Sequence, residues 1–595
     1  VYNFKLKKLS KYKLADNLRR SVTPVINLVG LILALFLKKS TSLAITLAVL
    51  MNMGFPYLYG ALVSIVFGGF FSLKRKFFTY IVPSAIESLA RGLFYFIFLF
   101  YSAAVNIDAI FRSLFRMYVS KKNLMEWTTA AQSDSGKISF AKTVKKLIPA
   151  QLFGIAYLLL AKYSYLRIFG LAFSMVVPCC YYLSLKSKKI ANEISEFQKQ
   201  ELLSYNAAMW NYYKDFANEE NNFLPPDNVQ QAPTYAVAYR TSPTNIGLML
   251  LSVLAARDFE FIDTQQLFSI IDKTLTTIEK MPKYRGNLYN WYDTKTLEIL
   301  IPKFISSVDS GNFVCCLVAL KEGLKEYDIS EYSKKIIERI EKIIKETDFA
   351  FLYCNKLNLL SIGYNETDDE LFKAHYDFLM SEARLTSYFI IASKIVDKKH
   401  WKALNRTMSK SGSYAGPVSW TGTMFEYFMP HMLLPAYDGT LLNESLNYCL
   451  YCQKKRTKNL NVPWGISESA YFSFDNYLNY QYKAHGVQDI GVKRGLNNEL
   501  VVSPYSTFLT ISYNPAGAIK NLNRFKDINA YGKYGFFEAV DYVEKRTGSE
   551  HFAVIKSYMA HHIGMSIISS ANAINNNIMQ KRFMRDANMN SSKEL

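Results

Sequence analysis

Five long apolar segments lie in the first third of this 595-residue chain. They comprise residues 24–37, 43–71, 89–105, 147–161 and 166–185. A helix that crosses the hydrocarbon core of a bilayer needs about 20 mostly apolar residues. The second segment contains Asn52, Gly54 and Pro56, so it is either one kinked span or a tight pair of helices. The sequence therefore predicts five or six transmembrane spans in a domain of residues 1–190.

The positive charge of the chain is concentrated beside these segments. The net charge is +21, and clusters of Lys and Arg lie within residues 5–20, 74–76, 121–146 and 186–189. Basic residues accumulate in cytoplasmic loops and beside anionic lipid headgroups. This placement indicates a lipid bilayer as a partner and not nucleic acid, for which no reader motif is present. We expect the N-terminus and the 112–146 loop to face the cytoplasm.

The first apolar segment is not predicted to be a secretory signal. The chain begins with Val1, and this segment leads into further spans without a small-residue cleavage site. We expect the sequence to be part of a longer polypeptide.

Residues 191–595 change to the periodicity of amphipathic helices. The clearest predicted helices are residues 245–256, 265–281, 332–347 and 369–396, the last as one long helix or a helical pair. Ser242 is suited to cap the first of them, with Pro243 just inside. Few stretches alternate with a period of two, so this domain is predicted to be mostly α-helical.

The loops between these helices share an unusual composition. Each combines Gly, aromatic residues, Ser or Asn, and at least one carboxylate, in residues 286–294, 306–312, 416–430, 463–475 and 531–542. Aromatic rings pack against the C–H faces of pyranoses, and short polar side chains bind their hydroxyls. Helical hairpins that recur with such loops on one side indicate an α/α toroid. The predicted fold is therefore all-α, with a transmembrane helix bundle followed by an (α/α)6-type toroid.

Twelve strings along the chain resemble the cyclic β-1,2-glucan synthases, which are very large bacterial inner-membrane proteins. In chain order they are DNLRRS (16–21), MEWTTAAQ (125–132), YRTSPTNIGLMLLSVLAARD (239–258), YNWYDTKTLEILIP (289–302), SVDSGN (307–312), HYDFLMSEARL (375–385), SWTGTMFEYFMP (419–430), PWGISESAY (463–471), YQYKAHGV (480–487), GVKRGL (491–496), YGFFEAVDY (534–542) and YMAHHIGMS (558–566). The resemblance covers essentially the whole chain.

The resemblance implies a function and a set of partners. In that family a glycosyltransferase domain precedes the membrane helices and a phosphorylase-like domain follows the helical domain, and neither fits within this chain. The expected activity of residues 191–595 is cyclization of linear β-1,2-glucan by retaining intramolecular transglycosylation, in a multi-pass protein of the bacterial inner membrane with its soluble domain in the cytoplasm. The expected partners are a β-1,2-glucan chain, the lipid bilayer and the two missing domains. No cofactor and no metal ion are expected.

Retaining transglycosylation requires two carboxyl groups about 5 Å apart, one as nucleophile and one as acid and then base. Glu382, in an expected helical context, and Glu468, in a Gly/Ser loop, are the preferred pair. The order of their roles stays open at this point. Glu382 could instead pair with Arg384 or cap a turn. The alternatives for either member are Glu426, Glu538, Asp293, Asp309 and Asp541.

Further residues of the matching strings are candidates for sugar binding. They are Asp293, Trp291, Tyr292, Asp309, Trp420, Glu426, Tyr427, Trp464, Tyr471, Tyr482, Arg494, Glu538 and His562. We expect about half of the aromatic residues to be core residues only. Arg240 is assigned a structural role. His561 and His562 are adjacent, so a helix directs them to different sides, and no zinc motif accompanies them.

Two other functions fit the same residues. An endo-β-1,2-glucanase-type hydrolase would use the same carboxyl groups with water as the acceptor. A non-catalytic glucan-binding scaffold would not need them.

Overall fold

The computed structural model describes residues 8–67, 82–122, 140–184, 194–328, 330–412 and 414–595. The chain divides into two compact units, Val1–Lys189 and Ile190–Leu595. Several features used in the sequence analysis lie outside the described residues. These are the MEWTTAAQ string, the C-terminal part of the 43–71 segment, and the basic residues Lys5, Lys7, Lys74, Arg75, Lys76, Lys137, Lys186, Lys188 and Lys189.

The described part of the first unit consists of apolar helices. They are Lys8–Phe36, Lys39–Phe67, Val82–Ile97, Leu99–Phe115, Phe140–Leu160, Ser164–Ser174 and Val176–Ser184, with a π-helical turn at Arg116–Ser120. Within the described residues, four helical stretches are long and apolar enough to cross a membrane: Lys8–Phe36, Lys39–Gly60, Thr143–Leu160 and Ser164–Ser184. A pair bent by 63°, Ile86–Ile97 and Leu99–Ser120, gives a fifth if it forms one span.

These helices are joined by a few polar contacts in apolar surroundings. The Asn52 side chain donates to the Asn27 side chain at 2.8 Å, and the Tyr157 hydroxyl donates to the Leu31 carbonyl at 3.0 Å. Interhelical hydrogen bonds of this kind stabilise helix pairs where no water competes. Asn52 interrupts the apolar run in the sequence, but a single helix, Lys39–Phe67, continues through it. The Asn52 side chain forms a contact between this helix and Lys8–Phe36.

The second unit alternates helices with short strands. Its helices are Glu196–Phe216, Pro243–Asp258, Thr264–Lys280, Ser307–Leu324, Glu331–Glu346, Arg384–Ala392, Lys399–Ala403, Met424–Phe428, Leu441–Thr457, Pro504–Phe508, Pro515–Asp527, Glu544–Thr547, Ala560–Ile574, Ile578–Arg585 and Ala587–Ser591. Its strands are Asn228–Gln230, Ala236–Ala238, Arg240–Thr241, Lys283–Tyr284, Asn287–Leu288, Tyr292–Asp293, Phe304–Ser306, Tyr353–Cys354, Leu359–Ser361, Gly363–Asn365, Glu370–Leu371, His375–Tyr376, Met408–Ser411, Tyr414–Pro417, Ser469–Phe474, Tyr480–Lys483, Val501–Val502, Tyr531–Gly532, Gly535–Phe536, Ala539–Asp541, Ala553–Ile555 and Ser557–Met559.

Burial separates the helices into an inner and an outer set. Six helices are buried on nearly every side: Pro243–Asp258, Ser307–Leu324, Arg384–Ala392, Met424–Phe428, Pro504–Phe508 and Ala560–Ile574. The six that alternate with them along the chain are Glu196–Phe216, Thr264–Lys280, Glu331–Glu346, Lys399–Ala403, Leu441–Thr457 and Pro515–Asp527. The longer outer helices bury mainly one stripe, as in Glu331–Glu346, where only Ser333, Ile336, Ile340 and Ile343 are buried. This alternation is that of an (α/α)6 toroid.

The ring closes between the first and the last inner helix. Pro243–Asp258 packs against both Ser307–Leu324 and Ala560–Ile574. Strand Asn228–Gln230 pairs antiparallel with Ser557–Met559, and the Tyr213 hydroxyl donates to the Ala560 carbonyl at 2.7 Å. The predicted fold class, apolar helices followed by an (α/α)6 toroid, is confirmed.

Small residues allow the inner helices to approach closely. A Cβ atom added at Gly311 would overlap the Thr386 hydroxyl of the next inner helix. The close packing of the Gly311 backbone against Thr386 leaves no room for a side chain. The Gly of the SVDSGN string is therefore explained by packing between inner helices.

Local sequence signals located several helices correctly. The helix expected at residues 245–256 is Pro243–Asp258, and the Ser242 side chain caps it by accepting from the Asn245 amide. The helices expected at residues 265–281 and 332–347 are Thr264–Lys280 and Glu331–Glu346.

The helix predicted at residues 369–396 is wrong for its first half. Glu370–Leu371 pairs with strand Gly363–Asn365, and His375–Tyr376 pairs with Leu359–Ser361. Asp369 lies in a turn with φ of 49°, outside helical values. The spacing of apolar residues in this segment resembles that of a helix. Its backbone groups, however, bond to two strands that precede the segment in the chain. The helix begins only at Arg384, so Glu382 lies in a turn and not in a helix.

A buried ion-pair cluster ties the ring to the helix Ile578–Arg585. The Arg582 side chain is 1% exposed, and its guanidinium lies 2.6 Å from Asp258 and 2.5 Å from Glu326.

We expect Arg582→Ala to destabilise the chain by about 3–5 kcal/mol, since two carboxylates lose their buried partner. The measurement is the unfolding midpoint of the full chain in detergent. Arg339→Ala, which removes more exposed pairings with Glu279 and Asp272, should cost less than Arg582→Ala, about 1 kcal/mol. Equal midpoints for both variants would contradict the prediction.

Candidate active site

The N-terminal ends of the inner helices border two adjoining clefts. The small cleft, of about 270 Å³, is lined by Asp227, Asn290, Trp291, Asp309 and His561, among others. The large cleft, of about 760 Å³, is lined by His375, Asp377, Trp420, Thr421 and Lys493, among others. Three residues line both clefts: Tyr376, Glu382 and Glu468. The two carboxyl groups chosen from the sequence therefore lie together at the junction of the clefts.

Glu382 lies in the turn that precedes the helix Arg384–Ala392 and is half-buried. Burial raises the pKa of its carboxyl well above the usual range, and the charges of Glu468, Asp309 and Glu426 raise it further. Arg384 does not neutralise it, because its guanidinium donates to the Tyr427 and Leu379 carbonyls. Within the described residues, no hydrogen bond of the Glu382 carboxyl to a protein group is found. Glu382 is thus a carboxyl that favours its protonated form.

Glu468 follows the buried Ser467 and precedes the strand Ser469–Phe474. Burial raises the pKa of its carboxyl to about 7, the charge of Glu426 also raises it, and the Tyr482 side chain, which lines the same cleft, partly offsets the rise. The Tyr505 hydroxyl donates to the Glu468 carbonyl at 2.8 Å, which fixes the backbone at this position. Glu468 therefore favours its protonated form less strongly than Glu382 does.

One wall of the small cleft is a network around Trp291. The Arg240 guanidinium lies 4.5 Å from the centre of the Trp291 ring and 3.1 Å from the buried Asp227 carboxylate. In the amide orientation that satisfies both neighbours, Asn290 accepts from the Trp291 indole and donates to Asp309, each at 3.0 Å. Burial raises the pKa of Asp309. This network holds an aromatic face and two carboxyl groups against the cleft.

Glu426 lines the large cleft, but its carboxylate is used within the protein. It accepts from the Ser419 hydroxyl at 2.8 Å, the Thr421 amide at 3.1 Å, and the Thr423 amide and hydroxyl at 3.0 and 3.2 Å. The bond from the Thr423 amide, together with the Glu426 amide that donates to the Thr423 side chain, forms a capping box at the start of the inner helix Met424–Phe428. The side chain therefore shapes the loop that carries Trp420.

His562 and Glu538 lie behind the clefts and are 3% exposed each. The His562 Nδ1 atom is 2.9 Å from the Glu538 carboxylate, and its Nε2 atom is 3.5 Å from the Tyr482 hydroxyl. The Tyr505 ring stacks on the His562 ring at 3.5 Å. Burial lowers the pKa of His562 and raises that of Glu538 to about 8. His561 faces the small cleft instead, as expected for adjacent residues of a helix.

The remaining candidates divide between cleft, core and surface. Asp309, Trp291 and Tyr482 line the small cleft, and Trp420, 61% exposed, lines the large one. Tyr292, Tyr427 and Trp464 are core residues that line neither cleft. Asp293 accepts from two amides of its own turn. Tyr471 lies beneath Arg546 and Lys483, and Arg494 is exposed and also outside both clefts.

Several cleft residues were missed by sequence reasoning. They are Asp227, Thr244, Asn290, Asn312, Tyr376 and His561, together with Arg240, which was considered structural. All except Asp227 lie inside the matching strings. Thr244 and His561 lie in the first turn of inner helices, and Arg240 and Asn290 lie beside Trp291. Asp227 lies in no such string, so nothing local indicated it. In the described part of the chain, no three His, Cys, Asp or Glu side chains group as metal ligands.

Comparisons with known proteins bear on the chain as a whole. Residues 375–587 match a family model described as "Putative glucoamylase", and residues 204–340 match one described as a protein of unknown function, DUF3131. The chain is 31% identical to the cyclic β-(1,2)-glucan synthase NdvB of Rhizobium meliloti (strain 1021), over 98% of this chain and 25% of that protein. The resemblance to the cyclic β-1,2-glucan synthases is confirmed. The chain spans about a quarter of the length of this relative.

Solved structures share the toroid. A "putative glucoamylase" from Bacteroides fragilis NCTC 9343 matches with a TM-score of 0.55 at 16% identity, over 69% of this chain and 98% of that one. An endo-β-1,2-glucanase from Chitinophaga pinensis, in complex with sophorotriose and glucose, matches with a TM-score of 0.55 at 13% identity, over 67% and 97%. At these identities the likeness shows the fold.

The capping box of Glu426 can be tested by one substitution. Glu426→Gln keeps the shape but places an amide NH2 against N–H donors that the carboxylate now accepts. We expect a loss of about 1–3 kcal/mol in stability, measured as the unfolding midpoint. Glu444→Gln, in the first turn of the helix Leu441–Thr457 and exposed, is the matched control and should change the midpoint little. An unchanged midpoint in Glu426→Gln would contradict the proposed cap.

Proposed function

We propose that residues 191–595 cyclise linear β-1,2-glucan by retaining intramolecular transglycosylation, within a membrane-bound cyclic β-1,2-glucan synthase. The observation that carries this proposal is the position of Glu382 and Glu468 at the junction of two clefts. A chain that threads both clefts would present one glycosidic bond to the two carboxyl groups. The similarity to a cyclic glucan synthase over 98% of this chain supports this choice of reaction.

The environments of the two carboxyl groups support one division of roles. Glu382, whose pKa is raised well above its usual range by burial and by three neighbouring carboxylates, is proposed as the proton donor. Burial raises the pKa of Glu468 only to about 7, so it ionises more readily, as a nucleophile requires. Carboxyl pairs whose surroundings separate their pKa values commonly divide acid and nucleophile in this way.

The reaction then proceeds in two balanced steps. In the first, Glu468 attacks the anomeric carbon, the glycosidic bond breaks, and Glu382 gives its proton to the departing oxygen. In the second, Glu382 removes the proton from the C2 hydroxyl at the non-reducing end of the same chain. That oxygen attacks the anomeric carbon and the Glu468 ester bond breaks. The ring closes with retained configuration, and both carboxyl groups return to their starting states.

The clefts also suggest how the chain is held. Trp291 lines the small cleft and Trp420 the large one, so each of the two clefts that meet at the carboxyl pair has an aromatic ring in its wall. Asp309 and Asn290 are suited to bind hydroxyl groups. Of the residues first considered, Tyr292, Tyr427, Trp464, Tyr471, Asp293 and Arg494 are left out of the proposed sugar-binding set, because they line neither cleft.

We further propose that the apolar helices anchor the chain in the bacterial inner membrane, with the toroid in the cytoplasm. Lys and Arg beside the spans support this orientation through the positive-inside rule. The remaining partners would be a glycosyltransferase domain and a phosphorylase-like domain of the same polypeptide. These assignments rest on the relative, of which this chain spans 25%.

The decisive test uses the full chain in detergent with linear β-1,2-glucan of defined length. We expect products that resist an exo-acting β-glucosidase, and a loss of about a thousandfold or more in Glu382→Gln and Glu468→Gln. A second substrate is a β-1,2-linked glucose oligomer with an aryl group at its reducing-end anomeric carbon, because this leaving group needs no proton. With it, Glu382→Gln should recover activity and Glu468→Gln should not. Glu322→Gln, a buried carboxyl paired with Lys325 outside both clefts, is the control.

Other outcomes decide between the alternatives. New reducing ends in place of resistant products would favour an endo-hydrolase. Full activity in both glutamine variants would reject catalysis by this pair and favour a scaffold. Recovery of Glu468→Gln with the aryl substrate would reverse the two roles.

The sugar platform in the large cleft gives a separate prediction. Trp420→Ala removes an exposed ring from the large cleft and should raise KM about tenfold with a smaller effect on kcat, since stacking contributes mainly to binding. Phe197→Ala, at an exposed aromatic residue of an outer helix, should leave both constants unchanged. An unchanged KM in Trp420→Ala would exclude stacking at this position.

A further inference from the structure

One permanent cation lies among the carboxyl groups of the small cleft. Of the described residues that line this cleft, Arg240 is the only Lys or Arg, and its side chain is 48% exposed. Glu382, Glu468 and Asp309 line the same cleft. Within the described residues, none of these three accepts a hydrogen bond from Arg240. The guanidinium therefore does not pair with the proposed catalytic carboxyl groups.

One edge of the guanidinium is held by Asp227. The Nε and Nη2 atoms of Arg240 lie 3.3 and 3.1 Å from the same oxygen of the Asp227 carboxylate. Asp227 is itself fixed, because its other carboxylate oxygen accepts from the Asn245 side chain at 3.1 Å and its carbonyl accepts from the Ala560 amide at 2.8 Å. Since Asn245 begins the first inner helix and Ala560 begins the last, closure of the ring sets the position of this edge.

One face of the guanidinium is held by Trp291. The Arg240 Cζ atom lies 4.5 Å from the centre of the Trp291 ring. The ring is fixed in turn by Asn290, which accepts from the indole N–H and donates to Asp309, each at 3.0 Å. A guanidinium that is stacked on an aromatic ring and paired along one edge keeps little rotational freedom.

The outer end of the guanidinium is left unpaired. A guanidinium has five N–H groups, and the contact with Asp227 uses the edge formed by Nε and Nη2. Within the described residues, Nη1 of Arg240 donates to no protein group. The end farthest from the backbone therefore presents one N–H from each terminal nitrogen, side by side and pointing in the same direction.

The chemistry of the cleft restricts what these two N–H groups can bind. A parallel pair of donors fits two oxygens on neighbouring atoms, as in a carboxylate, a phosphate or a vicinal diol. Four carboxyl groups line the small cleft, those of Asp227, Asp309, Glu382 and Glu468, and they disfavour an anionic ligand. In β-1,2-glucan the glycosidic bonds occupy C1 and C2, so O3 and O4 of every internal unit remain as neighbouring free hydroxyls. A neutral diol of this kind is the ligand that fits.

We propose that Arg240 is a glucan-binding residue, whose terminal N–H pair donates to O3 and O4 of the glucosyl unit in the small cleft. This inference rests on the proposed function, because it takes β-1,2-glucan as the ligand. It gives Arg240 a role beyond the structural one assigned from the sequence. A half-exposed ion pair adds little to stability, whereas a donor pair that is fixed before binding loses little freedom when the sugar arrives.

Binding to a parent chain that carries Glu468→Gln tests the proposal apart from catalysis. The full chain in detergent is titrated with linear β-1,2-glucan of defined length, and Kd is measured by calorimetry. Arg240→Lys keeps the charge but has no planar pair of donors, so Kd should rise about tenfold or more. Arg240→Ala should weaken binding at least as much. The unfolding midpoint should change little in both variants.

Arg285→Lys is the matched control. The Arg285 guanidinium also lies over aromatic rings, those of Tyr284 and Phe351, and near the carboxylate of Asp348. Arg285 lines neither of the two clefts. The substitution should therefore leave Kd unchanged.

A second ligand identifies the hydroxyl groups that are bound. A β-1,2-linked oligomer of 3-deoxyglucose, of the same length, has no O3 to accept from Arg240. It should bind the parent chain about tenfold more weakly than the normal oligomer. Arg240→Lys should then weaken its binding by less than about twofold, because the contact is already lost. A general folding defect in Arg240→Lys would instead weaken both ligands alike.

The proposal is overturned if Arg240→Lys binds the normal oligomer as tightly as the parent chain does, or if it weakens both oligomers equally. A lower unfolding midpoint with an unchanged Kd would return Arg240 to a structural role. No binding of the normal oligomer to the parent chain would reject the proposal together with its ligand. If Glu468→Gln retains full activity, catalysis by the carboxyl pair is rejected, but the comparison of Kd values still decides the role of Arg240.

Discussion

Closure of the helical ring is the constraint on which the candidate site depends. The side chains at the clefts come from Asp227 near the start of the toroid to His561 near its end. They meet because strand Asn228–Gln230 pairs with Ser557–Met559, and because the first inner helix packs against the last. Close contacts such as that at Gly311 hold neighbouring inner helices together. Local geometry alone could not bring these groups to one place.

Ring closure brings several carboxyl groups into poorly solvated surroundings, and these groups differ in the hydrogen-bond donors that they meet. Glu426 is held by four donors, two of them from the capping residue Thr423, and Asp227 by Arg240. The carboxyl groups of Glu382 and Glu468 accept no protein hydrogen bond in the described part of the chain, and burial raises the pKa of both. The donors that each carboxyl meets therefore separate a structural carboxylate from the two carboxyl groups at the junction of the clefts.

Local signals predicted some elements and failed at others for identifiable reasons. The Ser242 cap and the start of its helix were predictable, because capping depends on residues within one turn. Residues 369–396 were not, because their first half pairs with strands that periodicity does not reveal. Trp464 and Trp420 have similar sequence surroundings, yet one is core and the other lines a cleft. Composition shows that aromatic residues are present but not which faces they leave open.

The sequence by itself determined the apolar segments, the helical periodicity, and the carboxyl groups Glu382 and Glu468, since hydropathy and motif strings are properties of short stretches. Only the tertiary structure decided that these two carboxyl groups share a junction between clefts. It also decided that Asp227 belongs to the site. Burial and charge depend on atoms from distant parts of the chain, so pKa values and cleft walls exist only once the ring has closed.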